Sequence, residues 1–84
     1  MTVETTRRAR VAWQCRRGMK ELDVLLEDFL EHQYDLLGLG ERQAFEILLG
    51  YPDPLLLEYL MGRMMPVDKG IADVVIKIRR TSGN

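Results

Sequence analysis

The sequence predicts an all-α fold, a compact five-helix bundle in a single domain, and three observations carry that prediction. Apolar residues recur along the chain at the i, i+3, i+4, i+7 spacing of an amphipathic helix, and no stretch shows a convincing period of two. Proline, glycine and aspartate interrupt the pattern at short intervals, as at Tyr51-Pro52-Asp53-Pro54 and Pro66-Val67-Asp68. The 84 residues are 46% hydrophobic and 30% charged, the balance of one ordinary globule. A chain of this size hides only about 60–65% of its extended surface on folding, which leaves little room for a deep enzyme cleft.

The first helix is expected over roughly Thr6 to Arg17, capped at Thr5 or Thr6, with Val11, Ala12 and Cys15 on its inner side and Gly18 ending or bending it. The second carries Leu22, Leu25, Leu26, Phe29, Leu30, Leu36 and Leu37 on one face and Asp23, Glu27, Asp28, Glu31 and Asp35 on the other. Leu37-Gly38-Leu39-Gly40 reads as a connection, followed by a short helix from Glu41 to Leu49 with Ala44, Phe45 and Leu48 inward and Gly50 as its stop. Asp53 is a good N-cap and Pro54 suits the first helical position, so a fourth helix follows with Leu56, Leu57, Leu60, Met61 and Met64 as its buried stripe. Pro66 closes that region, and Asp68 can cap a last helix whose stripe is Ile71, Val74, Val75 and Ile78. Lys77, Arg79 and Arg80 in its final turn complement the helix dipole. Residues 1–5 and 81–84 are expected to fray.

The net charge is −1, but the charges are segregated. Residues 1–20 carry +5, residues 21–68 carry −9 and residues 69–84 carry +3. Such a bipolar chain can steer a partner, while a pI near 5.8 argues against nucleic acid as the main ligand. No window approaches the roughly 18 apolar residues of a membrane span, so direct membrane insertion is not expected. The first residues show no secretory signal, and a lone cysteine fits a reducing compartment, which points to the cytoplasm.

Chemistry-bearing motifs are sparse. One histidine, His32, and one cysteine, Cys15, cannot supply the roughly four ligands of a structural zinc site, so no metal site is expected. Cys15 reads as a small core residue and His32 as a surface residue among Glu31, Gln33 and Asp35. The acids of the second helix read as a solvated face, and Met61, Met64 and Met65 as core filler. No catalytic residue stands out, and the chain is not expected to be an enzyme.

The densest feature is Ala12-Trp13-Gln14-Cys15-Arg16-Arg17-Gly18-Met19-Lys20-Glu21-Leu22-Asp23. An aromatic beside arginines is what a protein-binding surface tends to use as its anchor. Arg17 and Glu21 stand four apart and could pair along a helix, though such a pair contributes only about 0.3–0.5 kcal/mol. From the residues alone, an interaction site and a surface pair at a helix corner both remain open.

Arg17-Gly18-Met19-Lys20-Glu21 resembles the Arg-Gly-x-x-Glu motif of the small succinate dehydrogenase assembly factors, the family that promotes covalent FAD attachment to the flavoprotein subunit. Phe29-Leu30-Glu31-His32-Gln33-Tyr34, Asp53-Pro54-Leu55-Leu56-Leu57-Glu58-Tyr59-Leu60, and Pro66-Val67-Asp68 with the following stripe resemble that family's later segments in the same order. The likeness covers roughly residues 7–80. Tyr59 stands where the family often has Trp, and Gly38, Gly40 and Gly50 where polar or acidic residues are commoner.

The resemblance implies a chaperone-like assembly factor. It would bind the immature flavoprotein subunit of succinate dehydrogenase, with fumarate reductase as a further candidate client, and hold it while a histidine of that subunit bonds to the flavin. FAD would belong to the partner, with no cofactor bound stably by this chain. Arg17, Gly18 and Glu21 would face the flavoprotein, with Trp13, Arg10, Asp53 and Tyr59 as further candidates. Arg17 and Glu21 are then expected to be exposed, and Gly18 to serve close approach to the partner more than chain geometry. Two other readings remain: a regulatory or antitoxin-like module that binds protein or nucleic acid through the basic first helix, and a small flavin carrier.

Overall fold

The structure is a computed structural model and describes residues 3–81, with side chains from Thr6 onward. Five α-helices follow one another: α1 (Val3–Gln14), α2 (Lys20–His32), α3 (Leu39–Leu48), α4 (Asp53–Leu60) and α5 (Lys69–Thr81). A single 3₁₀ turn, Tyr34–Leu36, links α2 to α3, and no strand occurs among the described residues. The last helix is the hub. Its stripe of Ile71, Val74, Val75 and Ile78 is buried, and it packs against α2, α3 and α4. Full burial of one such side chain contributes about 1.5–3 kcal/mol, so this stripe is a large part of what holds the bundle.

Phe29 of α2 and Tyr34 each tilt against Phe45 of α3, with ring centroids 5.1 and 6.0 Å apart. On the other side of the core, α1 contributes Val11, and Cys15 just beyond it, both fully buried as expected.

Helix ends differ from expectation in ways that have local causes. The first helix begins at Val3, so Thr5 and Thr6 lie inside it rather than at its N-cap, and it stops at Gln14. Residues 3–5 and Thr81 are helical, the latter with its hydroxyl donating to the Lys77 carbonyl; the expected fraying at 1–2 and 82–84 lies outside the described residues. The second helix ends at His32, and the 3₁₀ turn changes the register. With three residues per turn, positions 34 and 37 share a side, so Tyr34 and Leu37 are buried while Leu36, expected in the stripe, is 77% exposed. The third helix starts at Leu39, two residues before Glu41, because the Glu41 carboxylate reaches back to the Gly38 N–H and fixes the entry. The Lys77 ammonium, hydrogen-bonded to the same carboxylate, and that N–H hold the Glu41 carboxyl below its usual pKa.

Pro52 occupies the N-cap of α4, with Asp53 as its first residue and Pro54 its second; the Asp53 side chain does not cap the helix. Its C-terminus closes through Gly62, which adopts a left-handed φ of +80°. The Gly62 N–H donates to the Tyr59 carbonyl at 3.1 Å and the Arg63 N–H to the Glu58 carbonyl at 2.9 Å, the paired bonds of a Schellman stop. This stop removes Met61 and Met64 from the stripe they were expected to join. Both are exposed, as are Met65 and Val67, so these methionines are not core filler. Asp68 does cap α5, accepting from the Ile71 N–H at 3.0 Å.

A Cβ at position 62 would lie 2.6 Å from a guanidinium nitrogen of Arg79, which packs over the glycine. The side chain can shift, so the backbone dominates: Gly62→Ala is expected to cost about 1 kcal/mol through the left-handed conformation. Thermal unfolding followed by circular dichroism checks this, with a fall in Tm of about 4–8 °C for a domain of this size.

Candidate partner-binding site

The corner between α1 and α2 spans residues 15–19, and Gly18 turns the chain there with φ +82°. Met19 and Lys20 therefore do not run straight on from the first helix, and Gly18 has a conformational task the sequence reading had subordinated to close approach. Nothing lies within 4 Å of where its Cβ would stand, so the position is also open to solvent or to a partner.

Arg17 was expected to be exposed, and it is not. Its side chain is 16% exposed and folds inward onto the link between α3 and α4. The Nε–H donates to Asp53 Oδ1 at 2.7 Å, Nη2 to the Tyr51 carbonyl at 2.8 Å, and Nη1 to the Leu49 carbonyl at 2.6 Å and the Gln14 carbonyl at 3.2 Å. Its backbone N–H donates to Asp23 Oδ1 at 2.6 Å. The planar fork of a guanidinium suits divergent acceptors in this way, and an ammonium would not reach them together. No bond joins Arg17 to Glu21, so the helix-surface pair considered from the sequence does not form.

The remaining candidates divide into two groups. Glu21, Arg10 and Trp13 are exposed, Trp13 by 73%, and Glu21 and Arg10 make no ion pair among the described residues. Asp53 is engaged by Arg17, and Tyr59 is buried, tilted against Tyr51 with ring centroids 6.1 Å apart. Tyr59 is thus a packing residue, and Asp53 an internal acceptor at the first turn of α4. Sequence reasoning missed Asp23, which it treated as part of a solvated face, and the Leu49 and Tyr51 carbonyls, which no side-chain pattern marks.

The basic first segment is less free than its charge suggests. Arg7 pairs with Glu46 at 2.8 Å and Arg8 with Asp35 at 3.4 Å, and Arg17 is held as described. Arg10, Arg16 and Lys20 stay exposed without an ion pair among the described residues. An open groove runs between α1 and α2, with Ala9, Ala12 and Leu30 as apolar lining, Arg8, Trp13 and the unpaired Arg16 on the α1 side, and Glu27 and Glu31 on the α2 side.

Neither the cysteine nor the histidine lies in position for chemistry. Burial pushes the Cys15 thiol up to about 12, which leaves it protonated and unreactive at neutral pH. His32 is on the surface, its Nδ1 3.0 Å from the Asp28 carbonyl and 2.9 Å from the Asp28 carboxylate, and these contacts raise its pKa. Among the described residues, no three His, Cys, Asp or Glu side chains are grouped so as to hold a metal ion, and no helix is long and apolar enough to cross a membrane.

Residues 9–82 match the protein family described as "Flavinator of succinate dehydrogenase". The FAD assembly factor SdhE of Coxiella burnetii is 41% identical over 73 residues, which cover 87% of this chain and 89% of that protein. The protein of the same name from Yersinia pseudotuberculosis is 42% identical over 73 residues, covering 87% and 83%. That from a Serratia species is 40% identical over 75 residues, covering 89% and 85%.

Two outcomes follow from the corner's geometry. Arg17→Ala is expected to lower stability by about 2–3 kcal/mol, because it removes several charge-assisted hydrogen bonds and strands the Asp53 carboxylate. Glu21→Ala should change stability by no more than about 0.5 kcal/mol; denaturant titration of both variants measures the contrast. Gly18→Ala should cost about 1 kcal/mol and Gly18→Asn less, since asparagine tolerates left-handed angles better, and the same titration ranks them.

Proposed function

The chain belongs to the family of succinate dehydrogenase flavinators, and from that premise we propose that it is an FAD assembly factor that binds the immature flavoprotein subunit of succinate dehydrogenase and promotes covalent attachment of its FAD. The family match over residues 9–82 is the observation that carries this reading. The corner of α1 and α2 supports it, since Gly18, Glu21, Trp13 and Arg10 are accessible there and Glu21 and Arg10 make no ion pair among the described residues.

The contribution to the reaction is positional. A binder that holds reacting groups of its partner near their attack geometry can lower a barrier by several kcal/mol without a catalytic side chain of its own. The buried, protonated Cys15 and the Asp28-bound His32 fit a chain that supplies no nucleophile or base. In this reading FAD belongs to the partner. In the α1–α2 groove Glu27 and Glu31 on one wall would repel a pyrophosphate, and of the two arginines opposite Arg8 is already bound to Asp35 and the Leu30 carbonyl, which leaves Arg16 alone against two carboxylates. Fumarate reductase, whose flavoprotein poses the same task, is a second client in this reading, and the cytoplasm is where the encounter takes place. The internal pairing of Arg7, Arg8 and Arg17 weighs against a nucleic-acid-binding first helix.

The purified chain is expected to form a complex with the apo flavoprotein at micromolar concentration and to accelerate covalent flavin formation, read as flavin fluorescence retained on a denaturing gel. Glu21→Ala should weaken the complex while leaving Tm unchanged. A mixture with FAD and a histidine peptide in place of the flavoprotein should yield no covalent flavin. Absence of both complex and acceleration with the intact flavoprotein would overturn the reading.

A further inference from the structure

We propose that Arg17 and Asp53 are positioning residues for the docking surface: their clasp locks the α1–α2 corner against the α3–α4 link before the partner arrives, and neither side chain is released to the partner on binding. The inference rests on the function proposed above. It deepens that function by separating the residues of the Arg-Gly-x-x-Glu motif that hold the surface from those that constitute it.

The inventory of donors argues for this division. An arginine side chain has five N–H donors, and Arg17 directs four hydrogen bonds into the chain, to Asp53, Tyr51, Leu49 and Gln14. Turning outward to meet a partner would break contacts with two separate segments and leave the Asp53 carboxylate, itself only 32% exposed, without its counter-charge. The corner is also held from its other side, where Asp23 of α2 accepts from the Arg17 backbone N–H. Between these two anchors and α2 lies Gly18, the residue with the widest conformational freedom and with open space around it. A glycine corner left untied would sample many backbone states, and only a fraction of them would present Glu21 and the end of α1 together. The apparent affinity falls in proportion to that fraction, so fixing the corner in advance favours association. Glu21, which makes no ion pair or hydrogen bond among the described residues, is left to make the direct contact.

Binding of the full-length chain to the apo flavoprotein, measured by surface plasmon resonance with circular dichroism as a check of folding, tests the clasp. Asp53→Asn keeps an oxygen to accept from the Arg17 Nε–H, and its affinity should stay within about threefold of wild type. Asp53→Ala and Arg17→Lys should each weaken binding by about tenfold or more, mainly through slower association, as expected when the competent state is less populated. In an Arg17→Ala background, Asp53→Ala should cost nothing further. For the unmodified protein, whose folding is not in question, the ¹⁵N resonance of the Arg17 Nε–H should keep its position and its protection from exchange when the flavoprotein is added. Additive losses in the double variant, or a resonance that moves or loses protection on binding, would show Arg17 contacting the partner directly and overturn the clasp while leaving the proposed function intact. Failure of the wild-type chain to bind at all would overturn the proposed function, and this inference with it.

Discussion

The inward turn of one guanidinium organises the end of the bundle at which α1, α2 and α4 meet. Arg17 gathers acceptors from the last turn of α1, the end of α3, the link that follows it and the first turn of α4. Few other groups could do so, because the acceptors diverge and most are carbonyl oxygens rather than carboxylates. The arrangement also gives a donor to four acceptors, three of them in part-buried bonds, and a buried acceptor left unsatisfied is costly. Gly18 takes its left-handed conformation next to this anchor, so the direction in which α2 leaves the corner depends on both.

Among the described residues two glycines have conformational work at helix ends, Gly18 before α2 and Gly62 after α4, and they differ in their surroundings. Gly62 is roofed by the Arg79 guanidinium and closes a helix with paired backbone bonds. Gly18 has open space above it. A side chain at 62 would meet the Arg79 guanidinium, whereas one at 18 would meet open space, and at both positions the strain of the left-handed angle is added.

The segregated charges of the sequence are partly resolved within the fold. Arg7 with Glu46, Arg8 with Asp35, and Lys77 with Glu41 each join segments distant in sequence. Individually such exposed or half-exposed pairs contribute about 0–1 kcal/mol, so they orient the helices more than they hold them together. What remains outward-facing on the basic side is Arg10, Arg16 and Lys20 beside Trp13, a smaller cationic surface than the composition of the first twenty residues implies.

Periodicity, caps and motif order were enough to place much of this protein. The stripe of α5, the cap at Asp68, the inward Ala44, Phe45 and Leu48, and the buried Cys15 all follow from spacing and residue type, because helix burial repeats locally. The family likeness was also legible, since it lies in the order of short motifs. The fate of Leu36, Met61 and Met64 depended on where helices stop, and the two stops, a 3₁₀ turn and a left-handed glycine, are local choices that tertiary packing selects among alternatives of similar energy. The role of Arg17 was decided only by the tertiary structure. Its acceptors include the carbonyls of Leu49 and Tyr51, 32 and 34 residues away, and every residue type carries a carbonyl, so no pattern in the sequence distinguishes the ones that a folded chain will bring to a guanidinium.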